Sequence, residues 1–342
     1  MISSSYRKAA AYLQTKLEEA GIASPTIGII CGSGLSGLSK TLDGPNLTVP
    51  YSSIPGFLDC TVSGHTGEIV FGMLEGVPTI CFRGRFHSYE GHDMNTTALP
   101  VRVMRCLGVK LLLVTNAAGG LNPGYNVGDI INVMDYFALP MLAGKNPLIG
   151  ENDDELGPRF PPTSNIFDDN LQQVVIDSAA NLKFSDFVRE NGTYCFVSGP
   201  MYESKAECKF LTSIGGDTVG MSTVPEIVAA HHAGMKVLCL SLVTNKVVVN
   251  GDEGPAASHQ EVLDAVNTRS TQIQALVKEI VKELDKRQIL KIMPSLTPIN
   301  LEEFRAKPCL FSFLTNIPLS YAATGAMGCA AAIFGASFIR KR

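Results

Sequence analysis

The chain has 342 residues, 45% hydrophobic and 18% charged, which excludes intrinsic disorder and leaves room for two domains, or one large α/β domain with additions, around a sizeable core. Its 28 Lys and Arg stand against 32 Asp and Glu for a formal net charge of -4, with no basic run longer than three residues, so the chain lacks the phosphate-backbone footprint of a nucleic-acid binder. Nine cysteines include no C-x-x-C pair, which argues against zinc and a disulfide framework and for a reducing, cytoplasmic setting.

In chain order, Tyr6, Ala9, Ala10, Leu13 and Leu17 recur at helical spacing after Ser5, so the chain is expected to open with an amphipathic helix capped there. The stretch before Glu19 lacks the apolar core of a secretory signal. β-Branched runs at residues 26–31, 111–115, 129–133, 194–197 and 236–243 read as strands. Helix-like stretches lie between them, the pattern of a mostly parallel sheet covered on both faces. A last amphipathic helix, with Ile273, Val277, Ile280, Val281 and Leu284 on one stripe, ends near Arg287 and closes a catalytic body over residues 1–289. Residues 290–319 read as a linker and 320–342 as an apolar tail. Residues 320–339 are uncharged, and about 20 such residues can cross a bilayer as a helix. A membrane anchor, a buried or partner-bound extension and an artefact of gene prediction are the alternatives.

Several segments place polar residues just past apolar runs, where α/β proteins hold ligands. Gly32-Ser33-Gly34-Leu35-Ser36-Gly37 has G-x-G-x-x-G spacing, but Tyr51, Ser52 and Ser53 stand where a dinucleotide site needs an acid. The loop can instead wrap an anion with backbone N–H groups and the Ser33 hydroxyl. Arg83, Arg85, His87 and His92, with Tyr89 among them and His65 upstream, bring two arginines and several histidines together for an anion; a solvated surface loop is the alternative. Residues 114–120 bring small residues, Ala117 among them, to a strand end. Thr223 and Glu226 form a capping-box pattern that sets Met221 and Ser222 at a helix N-terminus. Tyr202, Glu203 and Asn245 also follow apolar strands, and Ser258 with Glu261 would cap a helix whose first residue is His259.

Together, Gly32-Ser33-Gly34-Leu35, residues 85–91, 115–120, 220–226 and Thr244-Asn245-Lys246 resemble the trimeric purine nucleoside phosphorylases across roughly residues 6–285. The resemblance implies an α/β fold, a three-layer sandwich around a mixed, partly barrel-like β-sheet. It implies a homotrimer that cleaves inosine- and guanosine-type nucleosides with inorganic phosphate as co-substrate, and no cofactor or metal. Ser33, His65, Arg85, His87, the Ala117 amide and Ser222 would hold phosphate. Tyr202, Glu203 and Asn245 would hold the purine, with Asn245, Glu203 and His87 catalytic. Tyr89, Met221 and His259 would meet the ribose, as would Phe160 from a neighbouring subunit. Tyr202 stands where many members have Phe, and the apolar tail has no counterpart in the family pattern. A methylthioadenosine phosphorylase would want acids in place of Asn245 and Lys246 and an apolar residue in place of His259; a catalytically idle, membrane-tethered nucleoside-binding protein is the rival from another class.

Overall fold

Among the described residues, nine strands build one mixed sheet: β1 (Ile27–Ile30), β2 (Asp43–Pro50), β3 (Glu68–Leu74), β4 (Val77–Arg83), β5 (Leu111–Gly120), β6 (Ile130–Ala138), β7 (Val188–Phe196), β8 (Thr218–Gly220) and β9 (Lys236–Lys246). This is a computed structural model, and it describes residues 2–247 and 259–305, with side chains for 4–247 and 260–305. The sheet order is β2-β3-β4-β1-β5-β8-β7-β6-β9, and β5 pairs with β9 as well, which closes β5, β8, β7, β6 and β9 into a five-stranded barrel. β1 lies parallel to β4 and β5, β5 parallel to β9 and β6 parallel to β7, whereas β5–β8 and β6–β9 are antiparallel. The sheet is mixed, as the family resemblance implies; a mostly parallel sheet, read from the strand runs alone, understates the antiparallel pairs.

Alternation along the central strands fills two cores, because successive side chains of a strand point to opposite faces. Ile30, Phe82, Leu112, Val114 and Cys239 join one cluster with Tyr6, Leu13, Val101 and Ile227. Ile27, Ile29, Cys81, Leu113 and Leu238 join the other with Val174, Ile273 and Val277. The helices Ile2–Ala20, Leu99–Cys106 and Val224–His232 thus cover one face, and Asp169–Asn181 and His259–Lys286 the other. Parallel interior strands must be apolar on both sides, and all four residues of β1 are buried.

The first helix begins at Ile2 rather than after Ser5; its expected stripe is buried, with Tyr6, Ala9, Ala10 and Leu13 at most 1% exposed. Beyond residue 289 the chain does not leave the body as a linker would. Leu290, Met293, Ile299 and Leu301 are buried, Arg105 donates to the Thr297 carbonyl at 2.8 Å, and the compact unit runs to Phe304. Isolated apolar residues among prolines and charges give no periodic signal, yet each fills a gap in the surface. The expected tail over residues 320–342 and the Ser258 cap lie outside the described residues. Among those described, no helix is long and apolar enough to cross a membrane. The seven cysteines described are free thiols.

Candidate active site

The carboxyl ends of β1, β4 and β9, the second half of β5 and the loops after β7 and β8 line a cavity of about 440 Å³. Its wall contains Ser33, Arg85, His87, Tyr89, Ala117, Tyr202, Glu203, Met221, Ser222 and Asn245. These residues come from six segments spread over more than two hundred positions, and the fold brings them to one concavity.

Arg85 anchors one group of them. Its guanidinium is 1% exposed. Nη1 donates to Ser222 Oγ at 2.8 Å and to Thr223 Oγ1 at 3.0 Å, and Nη2 donates to the Thr115 carbonyl at 2.8 Å. Gly84 precedes it at φ 137, and a Cβ there would meet Cys60 Sγ at 3.0 Å and His65 Cβ at 3.1 Å; the bare backbone lets the two loops touch. His65 lies beside Ser33, with Nε2 to Ser33 Oγ at 3.0 Å. Its Nδ1 is 3.0 Å from the Arg85 amide, an N–H that must donate. The neutral ring therefore carries its proton on Nε2 and donates it to Ser33 Oγ, leaving the hydroxyl proton of Ser33 free for another acceptor.

His87 is fixed in the same manner. Nδ1 meets Glu90 Oε1 at 2.9 Å, and Glu90 also accepts from the amide and hydroxyl of Thr61 at 3.0 and 2.5 Å. Burial pushes the Glu90 carboxyl up, but the hydrogen bonds from His87 and Thr61 outweigh it and bring it down to about 2. Burial holds the His87 imidazole below its usual value; Glu90 opposes that, and the Arg85 charge adds to it. His87 stacks on Tyr89 with centroids 4.5 Å apart. Burial lifts the Tyr89 phenol to about 12, so it stays a neutral donor.

Thr223 and Glu226 depart from the expected capping box. Thr223 has φ 77 and makes no side-chain cap; the Val224 amide bonds to the Ser222 carbonyl at 2.9 Å. This is a tight γ-turn, a strained backbone for a β-branched residue. It delivers the Thr223 hydroxyl to Arg85 and to Asn116 Nδ2 at 3.0 Å. Ser241 in turn donates to Asn116 Oδ1 at 2.6 Å.

Asn245 owes its direction to a bulge. In the β5–β9 ladder Ala118 pairs with Val243 but Gly119 pairs with Asn245, so Thr244 is an extra residue on β9 and the alternation of faces is broken. Thr244 and Asn245 consequently both line the cavity. The Thr244 hydroxyl lies 3.2 Å from Asn245 Oδ1, which orients the amide with its Nδ2 donors free. Burial raises the carboxyl of Glu203. Tyr202 is 42% exposed at the mouth, and burial, with Glu203 and Glu261 nearby, raises its phenol.

Three expected site residues are not part of this wall; one of them, His65, stands beside it against Ser33. Phe160 is 87% exposed and lines a separate groove with Tyr136, Met141 and Leu142. The side chain of His259 lies outside the described residues. Sequence reading gave no site role to Glu90, Asn116, Thr223 or Thr244, although all four lie inside the motifs that carry the resemblance.

A model of the phosphorylase superfamily matches residues 26–282. The purine nucleoside phosphorylase of Saccharomyces cerevisiae is 43% identical over 297 residues, 81% of this chain and 95% of that relative. The chain belongs to the purine nucleoside phosphorylases of this superfamily. A crystal structure of the Schistosoma mansoni purine nucleoside phosphorylase in complex with adenosine aligns on the phosphorylase with a TM-score of 0.77 at 40% identity, covering 82% of this chain and 96% of that one. A crystal structure of a Schistosoma purine nucleoside phosphorylase in complex with hypoxanthine gives the same values. The enzyme is therefore a purine nucleoside phosphorylase.

Proposed function

We propose that the enzyme acts on 6-oxopurine ribonucleosides and deoxyribonucleosides, such as inosine and guanosine, in purine salvage, releasing the free base and the pentose 1-phosphate. The observation that carries this reading is the meeting of Glu203 and Asn245 with Ser33, Arg85, His87 and Ser222 around one cavity. The second group supplies a cation and hydroxyl donors for a phosphate dianion under C1′, with His65 orienting the Ser33 donor and the Ala117 amide adding another. Tyr89 and Met221 meet the ribose, and Tyr202 stacks on the base.

The C1′–N9 bond breaks with its electron pair going to the purine. The sugar becomes oxocarbenium-like, and the dianion both offsets that charge and forms the new C1′–O bond. Asn245 Nδ2 donates to N7 or the 6-oxo oxygen as the base gains charge, and Glu203 accepts from N1–H. Adenine has a lone pair at N1, so the same carboxylate would face an acceptor. Binding alone does not decide the matter, since the schistosome relative is found with adenosine as well as hypoxanthine; the preference belongs to the departing charge.

Phosphate-dependent release of hypoxanthine from inosine is the expected result, with kcat/KM for adenosine lower by about 10²-fold or more. Equal values for inosine and adenosine would reject the 6-oxopurine preference, and no release from any nucleoside at saturating phosphate would leave only nucleoside binding.

The groove at Phe160 supports a homotrimer in which this ring completes a neighbour's site. Leu142, Ile149 and Phe160 are 74%, 56% and 87% exposed around it, a cluster that single chains seldom leave uncovered. Sedimentation should give three times the 36.6 kDa of one chain. Phe160→Ala should raise the nucleoside KM and leave the phosphate KM unchanged; a fully active monomer would reject the shared site.

A further inference from the structure

Glu226 is a buried carboxylate with no role in the chemistry above. It stands in the first turn of the helix Val224–His232, 2% exposed, behind Arg85. Its Oε1 is 3.4 Å from Arg85 Nε, and among the described residues neither carboxylate oxygen nor that nitrogen has a hydrogen-bond partner. The other titratable groups facing it are the Cys239 thiol of β9 and the Tyr51 phenol after β2, both pushed up by burial and so neutral. Arg85 is its one paired cation among the described residues.

Such a pair is a poor way to stabilise a fold, because desolvating two ions is repaid only when hydrogen bonds satisfy them. Orienting Arg85 does not require Glu226 either, since Ser222, Thr223 and the Thr115 carbonyl already hold Nη1 and Nη2. What the carboxylate contributes is charge. It balances the guanidinium while the cavity holds no anion. Once a doubly charged oxyanion arrives, two negative groups compete for one guanidinium.

We propose that Glu226 is a positioning residue acting through Arg85: it is the counter-charge of the guanidinium in the anion-free site and takes up a proton when phosphate replaces it. Burial raises this carboxyl to about 7 although Arg85 draws it down, so a modest loss of that support converts it to the acid near neutral pH. The proton comes from solvent. The inference rests on the phosphate reading of this part of the cavity.

Sulfate is the probe, a dianion with no proton to exchange near neutrality. Calorimetric titration of the full chain at pH 7.5, in two buffers of different ionisation enthalpy, counts protons taken up per anion. His87 adds uptake to every variant, so the readout is the difference between unmodified protein and Glu226→Gln. The unmodified chain should take up roughly half a proton more, and that share should weaken its sulfate Kd about threefold between pH 7 and pH 8 relative to the variant, as linkage requires. Equal uptake and equal pH slopes, with sulfate bound, would overturn the role of Glu226. No sulfate binding by the unmodified chain would instead count against the phosphate site itself. Should Glu226→Gln fail to fold, infrared difference spectra decide: sulfate must raise a protonated-carboxyl band that persists in Glu203→Gln, and its absence would overturn the proposal.

Discussion

Arg85→Ala is expected to remove phosphorolysis and, separately, to make the fold weaker at pH 8 than at pH 6. For activity, the substitution deletes the one guanidinium that, among the described residues, lines the anion-binding part of the cavity. It also frees Ser222 and Thr223 from the donor that holds them. Loss of a single donor aimed at developing charge typically costs about 10²–10³ in kcat. Loss of a buried cation should cost at least that, with most of the effect in the phosphate KM. For stability, the change leaves Glu226 buried without its cation, and breaking a buried pair from one side costs about 3–5 kcal/mol.

Protonation limits that penalty, and its sign is fixed. The Glu226 carboxyl is already raised from its ordinary 4.5 to about 7 with Arg85 present, burial lifting it and Arg85 lowering it. In the unmodified protein the folded state therefore binds a proton that the unfolded chain releases, and stability contributed by the neutral acid is lost as pH rises from about 4.5 through about 7. Removing Arg85 lifts the folded value further and carries the loss to higher pH. Thermal unfolding of Arg85→Ala should approach that of the unmodified protein at pH 6 and fall well below it at pH 8. A pH-independent difference would mean that Glu226 does not carry the charge assigned to it.

Much of this architecture is written in short-range pattern, and what escaped is set by longer-range geometry. β1 is a solid apolar run ending in glycines, and β9 another, so both are legible as buried strands. β3 and β4 are harder to see. They form a hairpin in which Leu74 pairs with Val77 across Glu75 and Gly76, both at positive φ; Glu at the first of these positions hides a turn that Asn or Asp would announce. β8 is three residues long and exists because its neighbours in the barrel complete it. At the site, Ser33, Arg85, Glu203 and Asn245 stand in motifs. The residues that aim them act through space: Thr115 and Thr223 on Arg85, Thr61 on Glu90, and Ser241 on Asn116. Thr223 was misread because Thr-x-x-Glu is a strong local signal for a cap, whereas the buried guanidinium competes for both side chains and wins.

Asn245→Asp is expected to reverse the order of substrates. Nδ2 of Asn245 is free to donate because its Oδ1 lies 3.2 Å from the Thr244 hydroxyl, and the bulge at Thr244 points both residues into the cavity. An oxopurine leaving as an anion needs a donor at N7 or the 6-oxo oxygen. Aspartate would offer an acceptor there, and the charge of Glu203 lies in the same cavity. Two carboxylates around a departing anion oppose it, so kcat/KM for inosine should fall by about 10²–10³. Adenosine presents an exocyclic amine that an aspartate can accept from, and a shared proton on the new carboxyl could be passed to N7. Its kcat/KM should hold or rise, so the inosine-to-adenosine ratio drops by at least the inosine loss. Asn245→Ala separates the two effects: it removes the donor without adding an acceptor, and should lower inosine turnover without favouring adenosine. A ratio unchanged in Asn245→Asp would show that the amide does not touch the base, while equal ratios in the Asp and Ala variants would assign the discrimination to Glu203 alone.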